Sequence, residues 1–516
     1  MYGAWKDRPG VQSRLHRIAA TLVVGWAGAI VTIVAVLAVV HADDRFGVGA
    51  ASGVWMGLTA AAHDGVWYPV VYSHGFFGGT RYMPLPIVLQ LGGRLVSGEY
   101  LVSAKLLIYL VNGALYTLVY RAARRQGAPA PIALGIVATV LTSSAATTTV
   151  LGVRWDALAT LCQLGAIELM SRSTTARPAL ASGILCGLAI TTKVTSLWAP
   201  AAIVVWVARK PRSLGAFAGS LVVTTSVIAA VVDALSHGRM LRQLRDFTFA
   251  GSTHSTLGDG FHRFYQLGLR NQRELPLLLV LASVALVVAF VARRAGPLEL
   301  GLVFAVPIVI VVMRDTGAYE NHLLDLEILA GLVVAGLWRS DTVARRHVAQ
   351  YAAVGVLVLA SIAAARYTLI PDARAAANHE LRGRDDARYA IHPVPELTAQ
   401  GTCALFEDAS IPILAGQRPV VLDAFIAHRL QTSDPTALSH LLARVDASGF
   451  RTIALNFPLT DLGWFETLDF GSAFAHAVDR HYRLARTPNG GLYVYTPRRA
   501  PAKAGACATA SLDDWH

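Results

Sequence analysis

Two adjacent carboxylates, Asp43 and Asp44, follow the first strongly apolar run of the chain, which ends at Val40. They open a long segment, residues 41–90, that is rich in glycine and aromatic residues. Neighbouring side chains on one backbone point in different directions, so one aspartate would be the reactive group and the other would bind or position. The alternative is that both are solvated charges just beyond a membrane helix. A third carboxylate, Asp64, is expected to have a structural role.

The same segment ends with Arg81 and Tyr82 directly after Gly78-Gly79-Thr80. Glycines let a ligand approach the backbone closely, and a guanidinium group binds phosphate or carboxylate oxygens through two parallel hydrogen bonds. Arg81 is therefore a candidate phosphate-binding residue. A structural ion pair or a contact with lipid headgroups would explain it equally well.

Single charges also stand at the ends of later apolar runs. Arg154 and Asp156 flank Trp155 between two runs with almost no loop, and Lys193 follows Thr191-Thr192 at the end of another. An arginine at membrane depth is costly and needs a partner. Asp156 also fits a helix first turn, where the dipole favours acids, and Lys193 could simply extend to the headgroups.

A third group precedes a late apolar run, in the sequence from Gly317 to His322. We take Glu320, Asn321 and His322 as candidate binding residues. Asp325 and Glu327 follow inside the otherwise apolar run, where buried acids usually have a function.

The composition is that of a membrane protein. Of the 516 residues, 54% are hydrophobic and only 15% are charged, against about 25% charged in soluble domains. The net charge of +12 is spread in small clusters between apolar runs, which indicates membrane topology and not nucleic-acid binding. About eleven spans are expected, near residues 18–40, 101–120, 131–150, 155–171, 179–197, 198–208, 214–234, 275–292, 298–313, 322–338 and 348–366.

Arginine-rich connections and the basic N-terminus fall on one side of these spans, which the positive-inside rule assigns to the cytoplasm. The first run is long enough to be a retained span and not a cleaved signal peptide. The segment 41–90 and the C-terminal part then lie outside. We expect a membrane domain over 1–371, a linker over 372–396 and an external α/β domain over 397–516. In that last domain, residues 451–457 predict a strand, Ser433-Asp434-Pro435 a helix start, 470–482 a helix and 488–491 a hairpin turn.

Several common kinds of site are not indicated. The chain has no P-loop, GxSxG or HExxH motif and no dinucleotide-binding glycine pattern. Its four cysteines lack zinc-ligand spacing, so we expect no metal site, although a divalent cation could still assist. Cys403 and Cys507 could form a disulfide in an oxidising compartment.

The layout resembles the GT-C glycosyltransferases, multi-span enzymes that take a sugar from a polyprenyl-phosphate carrier. The resemblance covers the membrane part, about two-thirds of the chain. It rests on the acidic pair in the first external loop, the Arg-Tyr-Met-Pro-Leu stretch, the Arg-x-Asp at a span start, the outer lysine and the Gly-x-Tyr-x-Asn-His sequence, here Asp43-Asp44, Arg81–Leu85, Arg154–Asp156, Lys193 and Gly317–His322.

The resemblance implies an inverting sugar transfer in which Asp44 or Asp43 is the general base that deprotonates an acceptor hydroxyl. Arg81, Arg154 and Lys193 would offset charge on the departing lipid phosphate. The usual Asp-Glu pair is Asp-Asp here, which leaves open which aspartate is the base. The acceptor would be a glycan, lipid or protein of the cell envelope. A transporter or flippase of lipid-linked glycan and a non-catalytic membrane scaffold are the alternatives.

Overall fold

A computed structural model describes residues 9–42, 50–73, 76–249, 252, 254–339, 347–382, 403–433, 436, 438–486 and 492–499. Asp43 and Asp44 lie outside these ranges, as do Cys507 and the predicted turn over 488–491. Cys403 is disulfide-bonded.

The first three-quarters of the described chain is mostly helical. Its helices are α1 (Pro9–Val40), α2 (Ala50–His63), α3 (Pro84–Ser97), α4 (Tyr100–Arg125), α5 (Ala130–Leu141), α6 (Ser144–Leu151), α7 (Asp156–Arg172), α8 (Ala176–Thr192), α9 (Trp198–Val207), α10 (Pro211–Leu235), α11 (Arg239–Phe247), α12 (Leu257–Arg263), α13 (Leu275–Val291), α14 (Pro297–Val312), α15 (Leu324–Ala335), α16 (His347–Tyr367) and α17 (Leu369–Arg382). A π-helical segment (Phe264–Arg270) extends α12, and 3-10 turns (Glu320–Leu323, Gly336–Arg339) flank α15. A short hairpin, β1 (Tyr72–Ser73) and β2 (Phe76–Phe77), lies between α2 and α3.

Several of these helices begin and end at recognisable residues. Prolines occupy the first turn of α3, α10 and α14, where the missing N–H costs no hydrogen bond. Gly98 ends α3 with a φ of 81°, a left-handed conformation that favours glycine. The Ser143 side chain accepts a hydrogen bond from Ala146 N and so caps α6.

The described helices that are long and apolar enough to cross a membrane number five, or seven if each bent pair counts as one span. The five are Arg17–Val40, Tyr100–Arg125, Pro211–Leu235, Glu320–Arg339 and Val354–Asn378. The bent pairs are α5 with α6, at 76°, and α12 plus its π-helical extension with α13, at 102°. The expected count of about eleven is therefore not confirmed. The run at 198–208 becomes α9, whose ten residues reach only about 15 Å.

The C-terminal part contains β3 (Ala404–Phe406), α18 (Ser410–Leu414), α19 (Ala424–Ser433), α20 (Ser439–Asp446), β4 (Thr452–Leu455), α21 (Leu462–Thr467), α22 (Ser472–His481), β5 (Tyr482–Arg486) and β6 (Tyr493–Pro497). The strands form one sheet in the order β3-β4-β6-β5, in which β3 and β4 are parallel and the other pairs antiparallel. Phenylalanines 450, 465, 470 and 474 fill a core against this sheet.

Some local predictions in this part are confirmed and others are wrong. The predicted strand over 451–457 is the fully buried β4, and the predicted helix over 470–482 is α22. Helix α17 continues to Arg382 and so covers the start of the predicted linker over 372–396, which stays a prediction. Ser433 ends α19 and does not start a helix; the next helix begins at Ser439.

The C-terminal part packs directly on the first loop. Phe77 N donates to Val420 O at 3.0 Å, and Leu422 N donates to Phe77 O at 2.8 Å. On α2, an added Cβ at Gly53 would lie 2.4 Å from Ser410 N, and one at Gly57 would lie 2.4 Å from a Leu422 side-chain carbon. The two glycines, four residues apart on one helix face, allow this close approach. The first loop and the C-terminal part therefore form one packed unit beside the helices.

Candidate functional site

A cavity of about 170 Å³ lies where the first loop meets the ends of several helices. Seven of the eight predicted binding residues line it, namely Arg81, Tyr82, Arg154, Asp156, Lys193, Asn321 and His322. We call this cavity the cleft. Residues far apart in the sequence thus meet at one place, as their common position at helix ends suggests. Glu320 does not line the cleft.

Asp156 lies in the first turn of α7 and binds two cleft residues. Lys193 Nζ is 2.6 Å from Asp156 Oδ1, and the two side chains are 17% and 10% exposed. Asn321 Nδ2 donates to the same oxygen at 2.9 Å. Lys193 is the C-cap residue of α8, the helix antiparallel to α7. Lys193 is therefore not a cation extended to the headgroups but one half of a largely buried ion pair.

Arg81 forms the second ion pair of the cleft. Its Nη1 is 2.6 Å from Asp315 Oδ2. Asp315 is itself fixed, because Gly317 N donates to its Oδ1 at 2.7 Å and the Arg263 guanidinium donates to its carbonyl oxygen. The Arg81 guanidinium also lies over the Phe425 ring, with Cζ 4.3 Å from the ring centroid. The first loop, the turn after α14 and α19 therefore meet at one arginine.

Arg154 is the third cation of the cleft and differs from the other two. It forms no ion pair or hydrogen bond with any residue that the structure describes. Arg154 follows the short connection after α6 and is half-buried. Asp156 interacts with Arg154 electrostatically, but its Oδ1 already accepts from Lys193 and Asn321. An anionic ligand within hydrogen-bonding distance would therefore stabilise the Arg154 guanidinium further.

Tyr82 lies between the cations and an aromatic wall. Its carbonyl accepts a hydrogen bond from Tyr68 Oη at 2.7 Å, and its ring centroid is 4.4 Å from that of Trp55. Burial raises the pKa of Tyr82 to about 12, so the phenol stays neutral and can donate a hydrogen bond. The wall continues with Trp155 and Phe249.

Of the three first-loop acids considered in the sequence, only Asp64 lies among the described residues. Asp43 and Asp44 lie outside the described residues, so their position relative to the cleft stays a prediction. Asp64 Oδ2 forms an ion pair at 3.0 Å with Arg418 of the C-terminal part, which agrees with a structural role. Within the late helix, Asp325 accepts from Thr160 at 2.7 Å and Glu327 accepts from Ser143.

The sequence did not single out Asp315, Asp423 or Phe425. Asp315 stands two residues before Gly317 in a turn already marked by its polar residues, so a signal was present. Asp423 caps α19, because its Oδ1 accepts from Phe425 N at 3.1 Å and Ile426 N at 3.3 Å. Burial raises the pKa of Asp423 to about 6, and the charge of Arg81 opposes this rise. No pattern in residues 421–425 indicates this proximity to Arg81.

Residues 94–314 match the model of glycosyltransferase family 87. This range contains Arg154, Asp156 and Lys193 but neither the first loop nor His322. No curated protein sequence is significantly similar to the chain.

The fold is similar to that of ArnT from Cupriavidus metallidurans. The crystal structure of ArnT bound to undecaprenyl phosphate has a TM-score of 0.58 at 15% identity, covering 93% of this chain and 99% of that one. The apo crystal structure of ArnT has a TM-score of 0.54 at 15% identity, covering 92% and 98%. At this identity the likeness shows a shared fold. The family 87 match bears out the resemblance to glycosyltransferases over residues 94–314, and the fold shared with ArnT agrees with it.

Proposed function

We propose that this protein is an inverting glycosyltransferase that moves a sugar from a polyprenyl-phosphate donor to an acceptor of the cell envelope. The first-loop aspartate, Asp44 or Asp43, is the general base. The cleft binds the donor phosphate at the external face of a plasma membrane that the chain crosses several times. The family 87 match and the fold shared with ArnT support the reaction class.

This proposal rests mainly on the charge of the side chains that line the cleft. Three cations line it, Arg81, Arg154 and Lys193, against two carboxylates, Asp156 and Asp315. Three positive and two negative charges leave a net charge of +1 among the described residues that line the cleft. A sugar phosphodiester carries one negative charge, which these residues would offset, and Arg154 is the one of the three cations that forms no ion pair with a described carboxylate.

The same cations suit the chemical step. The acceptor hydroxyl oxygen attacks the anomeric carbon of the sugar while the aspartate takes its proton. The bond between that carbon and the phosphate oxygen breaks, and the lipid phosphate leaves with an additional negative charge. Fixed cations at this position stabilise the developing charge without reorganising. Lys193 and Arg81 are held in place by their carboxylate partners, which favours this role.

The walls of the cleft suit a lipid carrier. Phe249 lines the cleft and yet is 62% exposed, so it connects the interior to the surface of the molecule. Val311 and Val312 near the end of α14 line the same region. An apolar side next to a cationic interior would accommodate an isoprenoid chain and its phosphate together. A divalent cation would have to come with the substrate or with residues beyond the described ranges, since the described residues hold no group of three or more acidic, histidine or cysteine ligands.

The test is sugar transfer in proteoliposomes with labelled polyprenyl-phosphate sugars and cell-envelope acceptors. Loss of the general base should lower the transfer rate by about 10²- to 10⁴-fold in either Asp44→Asn or Asp43→Asn. Asp64→Asn is the matched control and should keep its rate. Transfer retained in both variants would refute the base assignment. Label crossing the bilayer without cleavage from the lipid would indicate a transporter.

A further inference from the structure

The Arg81 side chain occupies a slot built by two distant parts of the chain. Asp315 binds it from one side at 2.6 Å. The Phe425 ring covers its guanidinium at 4.3 Å and is 9% exposed. An added Cβ at Gly317 would lie 2.3 Å from Arg81 Nη2 and 3.2 Å from the Phe425 ring. The slot therefore has no spare room, and the guanidinium has one position in it.

Backbone contacts on either side also fix the position of Phe425. It lies in the first turn of α19, whose N-terminus is capped by Asp423. Three residues earlier, Leu422 is hydrogen-bonded to Phe77 of the first loop, and Phe77 is only four residues from Arg81. The backbones that carry the arginine and the ring are thus tied together close to both side chains.

A second arginine continues the arrangement on the other side of Phe425. Arg429 Cζ is 5.0 Å from the same ring, and Arg429 donates to Thr316 Oγ1 and, at 3.0 Å, to Thr467 O. It therefore links α19 to the turn that carries Asp315 and to the end of α21. The face of an aromatic ring attracts guanidinium groups. The Phe425 ring therefore contacts two arginines, Arg81 and Arg429, that both bind this turn.

From this geometry we propose that Phe425 is a positioning residue that holds Arg81 in the cleft, so that the C-terminal part completes the lipid-phosphate site. The phosphate role of Arg81 rests on the proposed function; the positioning does not. The C-terminal part then contributes to donor binding through Arg81 and is more than a cover.

The positioning is tested first without any ligand, by the rate at which phenylglyoxal modifies Arg81 in the full chain, followed by mass spectrometry. Removing the ring in Phe425→Leu should raise this rate about 5- to 10-fold, because the guanidinium loses the ring that covers it. Phe425→Tyr keeps the ring and should react like the wild type. Phe450→Leu is the matched control, since Phe450 lies under Arg444 at 4.4 Å elsewhere in the C-terminal part.

An unchanged rate at Arg81 in Phe425→Leu would overturn the proposal. So would an equal increase in Phe450→Leu, because that would reveal general loosening of the C-terminal part.

The second measurement is the binding of undecaprenyl phosphate. Phe425→Leu should weaken it about tenfold, but should add nothing in an Arg81→Gln background, because a residue acting only through Arg81 has no effect without it. A full additive effect would overturn the positioning role. If Phe425→Leu exposes Arg81 while Arg81→Gln binds the lipid normally, the positioning stands and the phosphate assignment of the proposed function fails.

Discussion

Arg154 is the cleft cation whose surroundings differ most from those of an ordinary ion pair. Arg81 and Lys193 each have a carboxylate at 2.6 Å, whereas Arg154 has no such partner among the described residues. A guanidinium that gains a phosphate on ligand binding contributes more to affinity than one already paired. Arg154 should therefore be the most sensitive of the three cations to substitution.

The variant Arg154→Gln should bind undecaprenyl phosphate about 10- to 100-fold more weakly, which is the loss expected for hydrogen bonds to a charged group. The measurement is a binding isotherm in detergent. Arg177→Gln, at an exposed arginine of α8, is the control and should bind normally. Equal binding by Arg154→Gln and the wild type would remove Arg154 from the site.

Asp423 should make folding stability depend on pH. Its pKa rises from an ordinary 3.8 to about 6 on folding because the carboxyl is buried. The stabilisation of the folded state by the protonated Asp423 carboxyl is fully present below about pH 4. It decreases by up to about 3 kcal/mol as the pH rises through 6. Asn can keep the cap of α19. Thermal unfolding should therefore show that the stability of Asp423→Asn, relative to that of the wild type, increases from pH 4.5 to 7.

Asp461→Asn gives the comparison for this measurement. Asp461 is likewise a capping aspartate, since it accepts from Trp464 N, but it is exposed. It is measured over the same pH range as the reference for replacing an exposed capping aspartate. A difference between Asp423→Asn and the wild type that does not change with pH would show that Asp423 is solvated in the folded protein.

At the residue scale, the sequence identified most of the charged cleft residues because each is a polar residue beside an apolar run. Arg154, Asp156 and Lys193 stand out against apolar runs, and burying such residues is too costly without a purpose. Which charged residues pair with each other could not be predicted in the same way. The pairing of Arg81 with Asp315 joins positions 234 residues apart, and only the fold sets that distance.

At the scale of elements, helices α8 and α10 show the tightest approach. An added Cβ at Gly183 would lie 2.0 Å from Ser220 Oγ and 2.3 Å from Phe217 O, and one at Gly187 would lie 2.8 Å from Thr224 Cβ. Two glycines four residues apart let membrane helices pack closely. This spacing is visible in the sequence, and it positions Lys193 at the end of α8.

The variant Gly183→Ala should lower the unfolding midpoint, because the new methyl group forces α10 away at a cost of about 1–3 kcal/mol. A thermal melt in detergent measures this. Gly219→Ala on α10 adds a methyl group with nothing within 4 Å and should be neutral or slightly stabilising. Equal midpoints for both variants would contradict the close packing.

The apolar runs of the sequence correspond to helices, but their division into about eleven spans is not confirmed. The run over 131–150 is broken where Ser143 caps α6, and the two halves meet at 76°. Hydropathy averaged over a window cannot detect a bend, because Thr142 and Ser143 barely lower the average. Arg154, which lines the cleft, follows three residues after the end of α6, the second half of this bent pair.

At the scale of the whole molecule, single elements of the C-terminal part could be predicted but their docking could not. The short apolar run over 451–457 indicates β4, and the helical pattern over 470–482 indicates α22, from local sequence alone. The contacts of Gly53 with Ser410 and of Phe425 with Arg81 depend on surfaces that form only after each part has folded. This explains why the sequence left the C-terminal part without a role in the site.

The arrangement of the membrane part predicts the sidedness of the chain. Alkaline phosphatase fused after the C-terminus should be active, since it folds only outside the cytoplasm. The same enzyme fused after Arg212, beside Arg209 and Lys210, should be inactive, because the basic residues of that connection predict a cytoplasmic position. The reverse pattern would place the cleft on the cytoplasmic side and contradict the proposed external reaction.

The central claim is that the cleft binds the phosphate of a polyprenyl carrier. The most direct test is an electron cryomicroscopy structure of the full chain in nanodiscs with undecaprenyl phosphate. We predict phosphate density within about 3 Å of the Arg154 guanidinium, with Lys193 and Arg81 on the same side and the isoprenoid chain leaving past Phe249. Phosphate density at another place, with the cleft empty, would contradict the claim.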